Sequence, residues 1–136
     1  MNDATRLLAE NELKKYDLNA ALAIETKLPS FEIRNAGGKV IIAAPDSIEL
    51  LYGVYDLAER FGGYSFFEPG RDRFDAARKV PVPEGIAVSA RKPLLKRRGF
   101  IQEFPFNAET PQLFDWMAKN KLNYLLVWMK YYDELS

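Results

Sequence analysis

Apolar and polar positions change rhythm several times along this chain, and each rhythm predicts an element. Over residues 3 to 16, Leu8, Ala9, Leu13 and Tyr16 fall near one face of a 3.6-residue period behind Asp3, a natural cap, which predicts a helix. The run "AALAIE" (20 to 25) predicts a strand, and "SFEIR" and "KVIIAA" on either side of "NAGG" predict a hairpin with strands near 30 to 35 and 39 to 44. A second helix follows. Asp46 with Glu49 three residues on forms a capping box, Leu50, Leu51, Val54, Leu57, Ala58 and Phe61 make an apolar stripe, and Gly62 is placed to take the left-handed position at its end. "YSFFEPG" predicts a short strand into a Pro-Gly turn, and "RDRFDAARKVPVPEG" a charged loop.

The pattern then becomes that of a βαβ unit. "KRRGFIQ" predicts a strand, and Thr110 and Pro111 a cap and first-turn proline for a helix bearing Leu113, Phe114 and Met117. The nearly continuous apolar run 122 to 129 predicts a parallel strand covered on both faces. Two parallel strands and one helix cannot enclose a core, and Ser136 follows at once, so a larger α/β domain is expected to have been cut here. One position breaks its own rhythm. Gly53 sits in mid-helix, at a cost of about 1 kcal/mol relative to alanine. It lies on the less apolar side, where closely packed backbone from the hairpin sheet or a neighbouring barrel would explain it.

Composition narrows the chemistry. The 136 residues carry 19 Lys and Arg against 19 Asp and Glu, a zero net charge that disfavours gripping nucleic acid or an anionic membrane. No stretch approaches the roughly 18 apolar residues of a membrane span, and the charged N-terminus has no signal-peptide core. With neither Cys nor His, disulfides, thiolate chemistry and histidine catalysis are excluded.

The basic cluster Arg91, Lys92, Lys96, Arg97 and Arg98 opens like an RNA-recognition signature at "RGF", but Ile101, Gln102 and Glu103 end the match; Arg91, Lys92 and Lys96 read as a solvated linker. Strand alternation groups Arg98 with Phe100 and Gln102, and Arg97 with Ile101 and Glu103. An arginine on an inner face suits carboxylates or sugar hydroxyls. Glycoside hydrolysis needs two carboxylates at a set separation. Glu68, Asp72, Asp75, Glu103, Asp133 and Glu134 form no such pair and read as solvated.

Taken in order, the opening helix and strands, "LLYGVYDLAERFGG", the "FFEPG" turn, "RRGF" and "KNKLNYLLVW" resemble the front of the β-N-acetylhexosaminidases of glycoside hydrolase family 20; the front domain of family 67 α-glucuronidases is similar. The resemblance implies an α+β fold class: over residues 1–90 an accessory domain with a small antiparallel or mixed sheet and two helices, and over 91–136 a linker and the first strand, helix and strand of a truncated (β/α)8 barrel. It implies that Arg98, before Gly99, matches the arginine at the end of the first barrel strand that contacts sugar hydroxyls. Glu103, near the carboxyl end of that strand, is the second candidate for substrate binding. Lys121, Leu122 and Asn123 match the family's entry to the second strand. Leu126, Trp128 and "YYD" replace the family's histidines and "DDQ", so no N-acetylhexosamine specificity is carried over. The family's catalytic pair lies on a later strand, beyond Ser136.

The resulting expectation is the non-catalytic N-terminal portion of a glycoside hydrolase acting on an oligo- or polysaccharide, inactive alone, with no catalytic residue, cofactor or metal ligand of its own. Its partners would be the carbohydrate and the rest of the barrel, with neither nucleic acid nor membrane, and a dimer through the exposed barrel strand. The alternative is a stand-alone α+β binding or protein-interaction module.

Overall fold

The computed structural model describes residues 3–102 and 107–127. Its first helix, α1 (Ala4–Lys15), starts where Asp3 Oδ1 accepts a hydrogen bond from the Arg6 amide (3.1 Å). The buried face is Ala9, Glu12, Leu13 and Tyr16 rather than one including Leu8, which is exposed. Glu12 takes the inward position because the spacing i, i+3, i+4, i+7 from Ala9 runs through it.

Strands β1 (Ala21–Ile24), β2 (Glu32–Ala36), β3 (Lys39–Ala44) and β6 (Gly85–Ser89) form a mixed sheet in the order β1-β3-β2-β6. The predicted hairpin is β2 and β3, antiparallel, while β1 runs parallel to β3. Ile33 and Ile42 face each other across the hairpin, both without solvent exposure.

The second helix, α2 (Ser47–Arg60), lies over this hairpin and touches α1, the sheet and strand β4 (Gly62–Glu68). It is therefore buried all round from Leu50 to Ala58, including Tyr52, Tyr55 and Asp56, and not along one stripe only. A Cβ on Gly53 would stand 2.5 Å from Ile42 Cγ2 and 3.4 Å from Phe31 Cβ. Gly53 thus faces the sheet, and the close neighbour is a strand side chain rather than backbone. The capping box is half formed: Asp46 Oδ1 accepts from the Glu49 amide (2.9 Å), but the Glu49 carboxylate accepts from Ser30 Oγ (2.5 Å), tying α2 to the entry of β2. Phe61 caps the other end, and the left-handed residue is Gly63 (φ +84°), not Gly62.

The expected charged loop is in fact a strand. β5 (Arg71–Lys79) pairs with β4, Tyr64 opposite Phe74, and all nine of its residues are exposed. Backbone pairing and polar side-chain contacts such as those of Asp72 hold it, so no apolar alternation announces it.

The βαβ unit is present as strand β7 (Gly99–Gln102), helix α3 (Thr110–Lys119) and strand β8 (Tyr124–Val127), with β7 and β8 parallel. Thr110 is not its cap. Glu109 holds the cap position without a side-chain hydrogen bond, and Asn107 closes the turn ahead of it, its Oδ1 accepting from the Glu109 amide (2.9 Å) and its carbonyl from the Thr110 amide (3.1 Å). Nor is β8 covered on both faces: Leu125 and Val127 are half-buried, whereas Tyr124 and Leu126 are exposed beside Ile101. The described residues thus form a small α+β fold.

Candidate functional site

A concavity lies where α2, the entry to β2 and the extended segment 91–98 meet. One turn-spaced face of α2 supplies Glu49, Tyr52 and Asp56. Two hollows of about 440 and 400 Å³ adjoin here, sharing Glu49, Tyr52, Pro93 and Arg98, and so form one groove.

Arg98 closes the groove floor. It stands immediately before β7, at the amino end of that strand. Its Nε donates to the Lys121 carbonyl (3.1 Å) and its Nη1 to the Leu95 carbonyl (2.8 Å). The guanidinium also meets the Tyr52 hydroxyl; burial pushes that hydroxyl's pKa up, and Arg98 only partly opposes this. Asn123 completes the clasp: Oδ1 accepts from the Arg98 amide and Nδ2 donates to the Lys96 carbonyl, both at 2.8 Å. The Arg98 carbonyl in turn accepts from the amides of Asn123 (2.8 Å) and Tyr124 (3.0 Å). Gly99 permits this approach, since a Cβ there would lie 1.5 Å from the Tyr124 carbonyl oxygen. "RG" and "KLN" are therefore two halves of one junction. Lys121 joins it from a left-handed backbone (φ 60°), with Nζ 3.1 Å from Asp56, which also pairs with Arg60 at 2.6 Å.

The groove's carboxylates are all engaged within the fold: Asp46 on the Glu49 amide, Glu49 on Ser30, Asp56 between two cations. Its rim carries Arg91, Lys92 and Lys96, exposed and without an ion pair among the described residues. Arg97, on the other face of the strand entry, rests over the Tyr124 ring at 5.4 Å.

A smaller hollow of about 340 Å³ lies at the carboxyl end of β7, lined by Gln102, Asn107, Thr110 and Gln112 among others. Gln102 Oε1 is buried there without a hydrogen-bond partner among the described residues. Glu103, the second substrate-binding candidate, lies outside the described residues, as do Asp133 and Glu134. The structure does not bring the remaining acids together as a pair: Glu68 meets Arg73 (3.2 Å), and Asp75 accepts from the Ala77 amide (2.9 Å). No cluster of three His, Cys, Asp or Glu able to hold a metal occurs among the described residues.

Asp72 is not the solvated surface acid its sequence context predicts. It receives the buried Lys119 ammonium (2.9 Å) and the Tyr16 hydroxyl (2.7 Å), and Asp115 receives Lys119 from the other side (2.5 Å). Burial pulls the Lys119 pKa down, but the Asp115 and Asp72 hydrogen bonds outweigh it and the net direction is upward. Burial first, then Asp72, raises that of Tyr16. Lys119 three positions after Trp116 on an otherwise amphipathic helix was the available signal; a lysine on the inner side implies a waiting carboxylate. Compared with models of protein families, with curated proteins and with solved structures, the chain matches none. No helix among the described residues is long and apolar enough to cross a membrane.

Proposed function

We propose that this chain is the non-catalytic N-terminal portion of a glycoside hydrolase acting on an oligo- or polysaccharide, its α+β part supporting a catalytic barrel that begins at β7. One observation carries the reading furthest. A parallel two-strand sheet needs cover on both faces, yet α3 covers one face of β7 and β8 through Phe100 and Trp116 (6.5 Å), and the other presents Ile101 (65% exposed) and Leu126 (41%). Further strands and helices of a barrel would satisfy it. The hollow beside Gln102 supports the same reading, because parallel α/β units build their sites at the carboxyl ends of their strands. Arg98, at the amino end, then serves substrate indirectly by fixing the start of β7, and Glu103, next along the chain from Gln102, is the substrate contact to test.

The test combines light scattering, binding of a dye for exposed apolar surface, and an aryl-glycoside assay on the purified chain. The expected outcome is self-association or strong dye binding, both abolished in the double variant Ile101→Lys, Leu126→Lys, with no glycoside hydrolysis. A compact monomer that binds no dye, or a chain that binds oligosaccharide tightly by itself, would replace this reading with the stand-alone binding module.

A further inference from the structure

The groove beside Arg98 has features that the barrel reading does not use, and its chemistry is the same whether or not a barrel begins at β7. Six Lys and Arg side chains line it against three carboxylates, and Asp56 is already held between two of those cations, so the charge it shows to an incoming molecule is net positive, with Arg91, Lys92 and Lys96 its exposed part. Three cations without an ion pair among the described residues, along one short segment, are a local excess on a chain of zero net charge. Between them the walls are aliphatic: Ile48 (54% exposed), Leu95 (68%) and the rings of Pro29 and Pro93. Among the described residues lining the larger hollow, Tyr52 is the aromatic one, and it is 5% exposed. A saccharide or an unstacked base would need an open ring to lie on, and this groove offers it aliphatic knobs instead. Exposed cations and aliphatic side chains lining one groove complement a peptide that carries both carboxylates and apolar side chains.

We propose that the groove between α2 and segment 91–98 binds an acidic, apolar-bearing peptide segment of a partner protein, with Lys92 and Lys96 reading its carboxylates and Ile48 and Leu95 its apolar side chains. The engaged acids would keep the groove from closing on its own cations, and the Arg98–Asn123 clasp holds segment 95–98 in place as a preformed wall, so binding would need little ordering of the chain.

Fluorescence anisotropy with a labelled peptide of alternating glutamate and leucine tests it on the full chain. Binding is expected to weaken with salt, and Lys92→Glu with Lys96→Glu to lower affinity by about tenfold or more, as for charges at an interface rim. Ile48→Ser is expected to lower it separately at constant salt dependence. All three side chains are exposed, and an unchanged circular dichroism spectrum confirms that the variants remain folded. Three results would overturn the proposal: no binding near millimolar peptide, equal binding of polyglutamate with no effect of Ile48→Ser, or tighter binding of a sulfated oligosaccharide or single-stranded oligonucleotide than of the peptide.

Discussion

At Gly53 a missing methyl group lets α2 settle onto the β2/β3 hairpin. Two effects compete on substitution by alanine. Helix propensity gains about 1 kcal/mol. Against it, the new Cβ would stand 2.5 Å from Ile42 Cγ2, and Ile42 is a core side chain without solvent exposure. Overpacking a close-packed core costs about 1 to 3 kcal/mol, so the steric term wins. Gly53→Ala is expected to lower stability by roughly 1 kcal/mol net in urea denaturation with an unchanged m-value. A stabilised variant would mean that α2 lifts off the hairpin at little cost.

Among the elements, those that bury an apolar side were legible and those that do not were missed. The rhythm of Leu50, Leu51, Val54 and Leu57 located α2 because packing against the sheet requires it, and the turn at Gly37 and Gly38 located the hairpin because both residues have positive φ. β5 escaped because every residue in it is exposed, which leaves nothing for periodicity to detect. The site divided in the same way. Arg98 and Asn123 were singled out in the sequence, but only the fold shows that they hold each other, since 25 residues separate them. Asn123→Ala removes an acceptor from the Arg98 amide and a donor to the Lys96 carbonyl while leaving the β7–β8 backbone pairing in place. Its expected cost is about 1 to 2 kcal/mol. Hydrogen exchange should locate the loss, with the Arg98 amide exchanging faster and the α2 amides unchanged; uniform acceleration would make the clasp part of the global core instead.

Across the whole molecule, polar contacts join the part before residue 90 to the part after it. Trp116 Nε1 and Asn120 Nδ2 both donate to the Phe66 carbonyl at 3.1 Å, Lys121 reaches Asp56, and Lys119 is sealed between Asp72 and Asp115 over the rings of Tyr16 and Phe66. These contacts predict that the α+β part and the βαβ unit melt together. Lys119→Met probes this because the Lys119 side chain is 3% exposed while those of Asp72 and Asp115 are partly open to water, 25% and 41% exposed. Breaking a fully buried pair costs about 3 to 5 kcal/mol, and rehydration of the two acids should reduce that to about 2 kcal/mol. Calorimetry is therefore expected to show a single transition for the parent chain, and for Lys119→Met a single transition lower by about 5 to 10 °C. Two transitions, with only the smaller one moved by the substitution, would instead make residues 91–136 a separately folding attachment. In that case the buried Lys119 would dock a finished domain rather than complete the core of one.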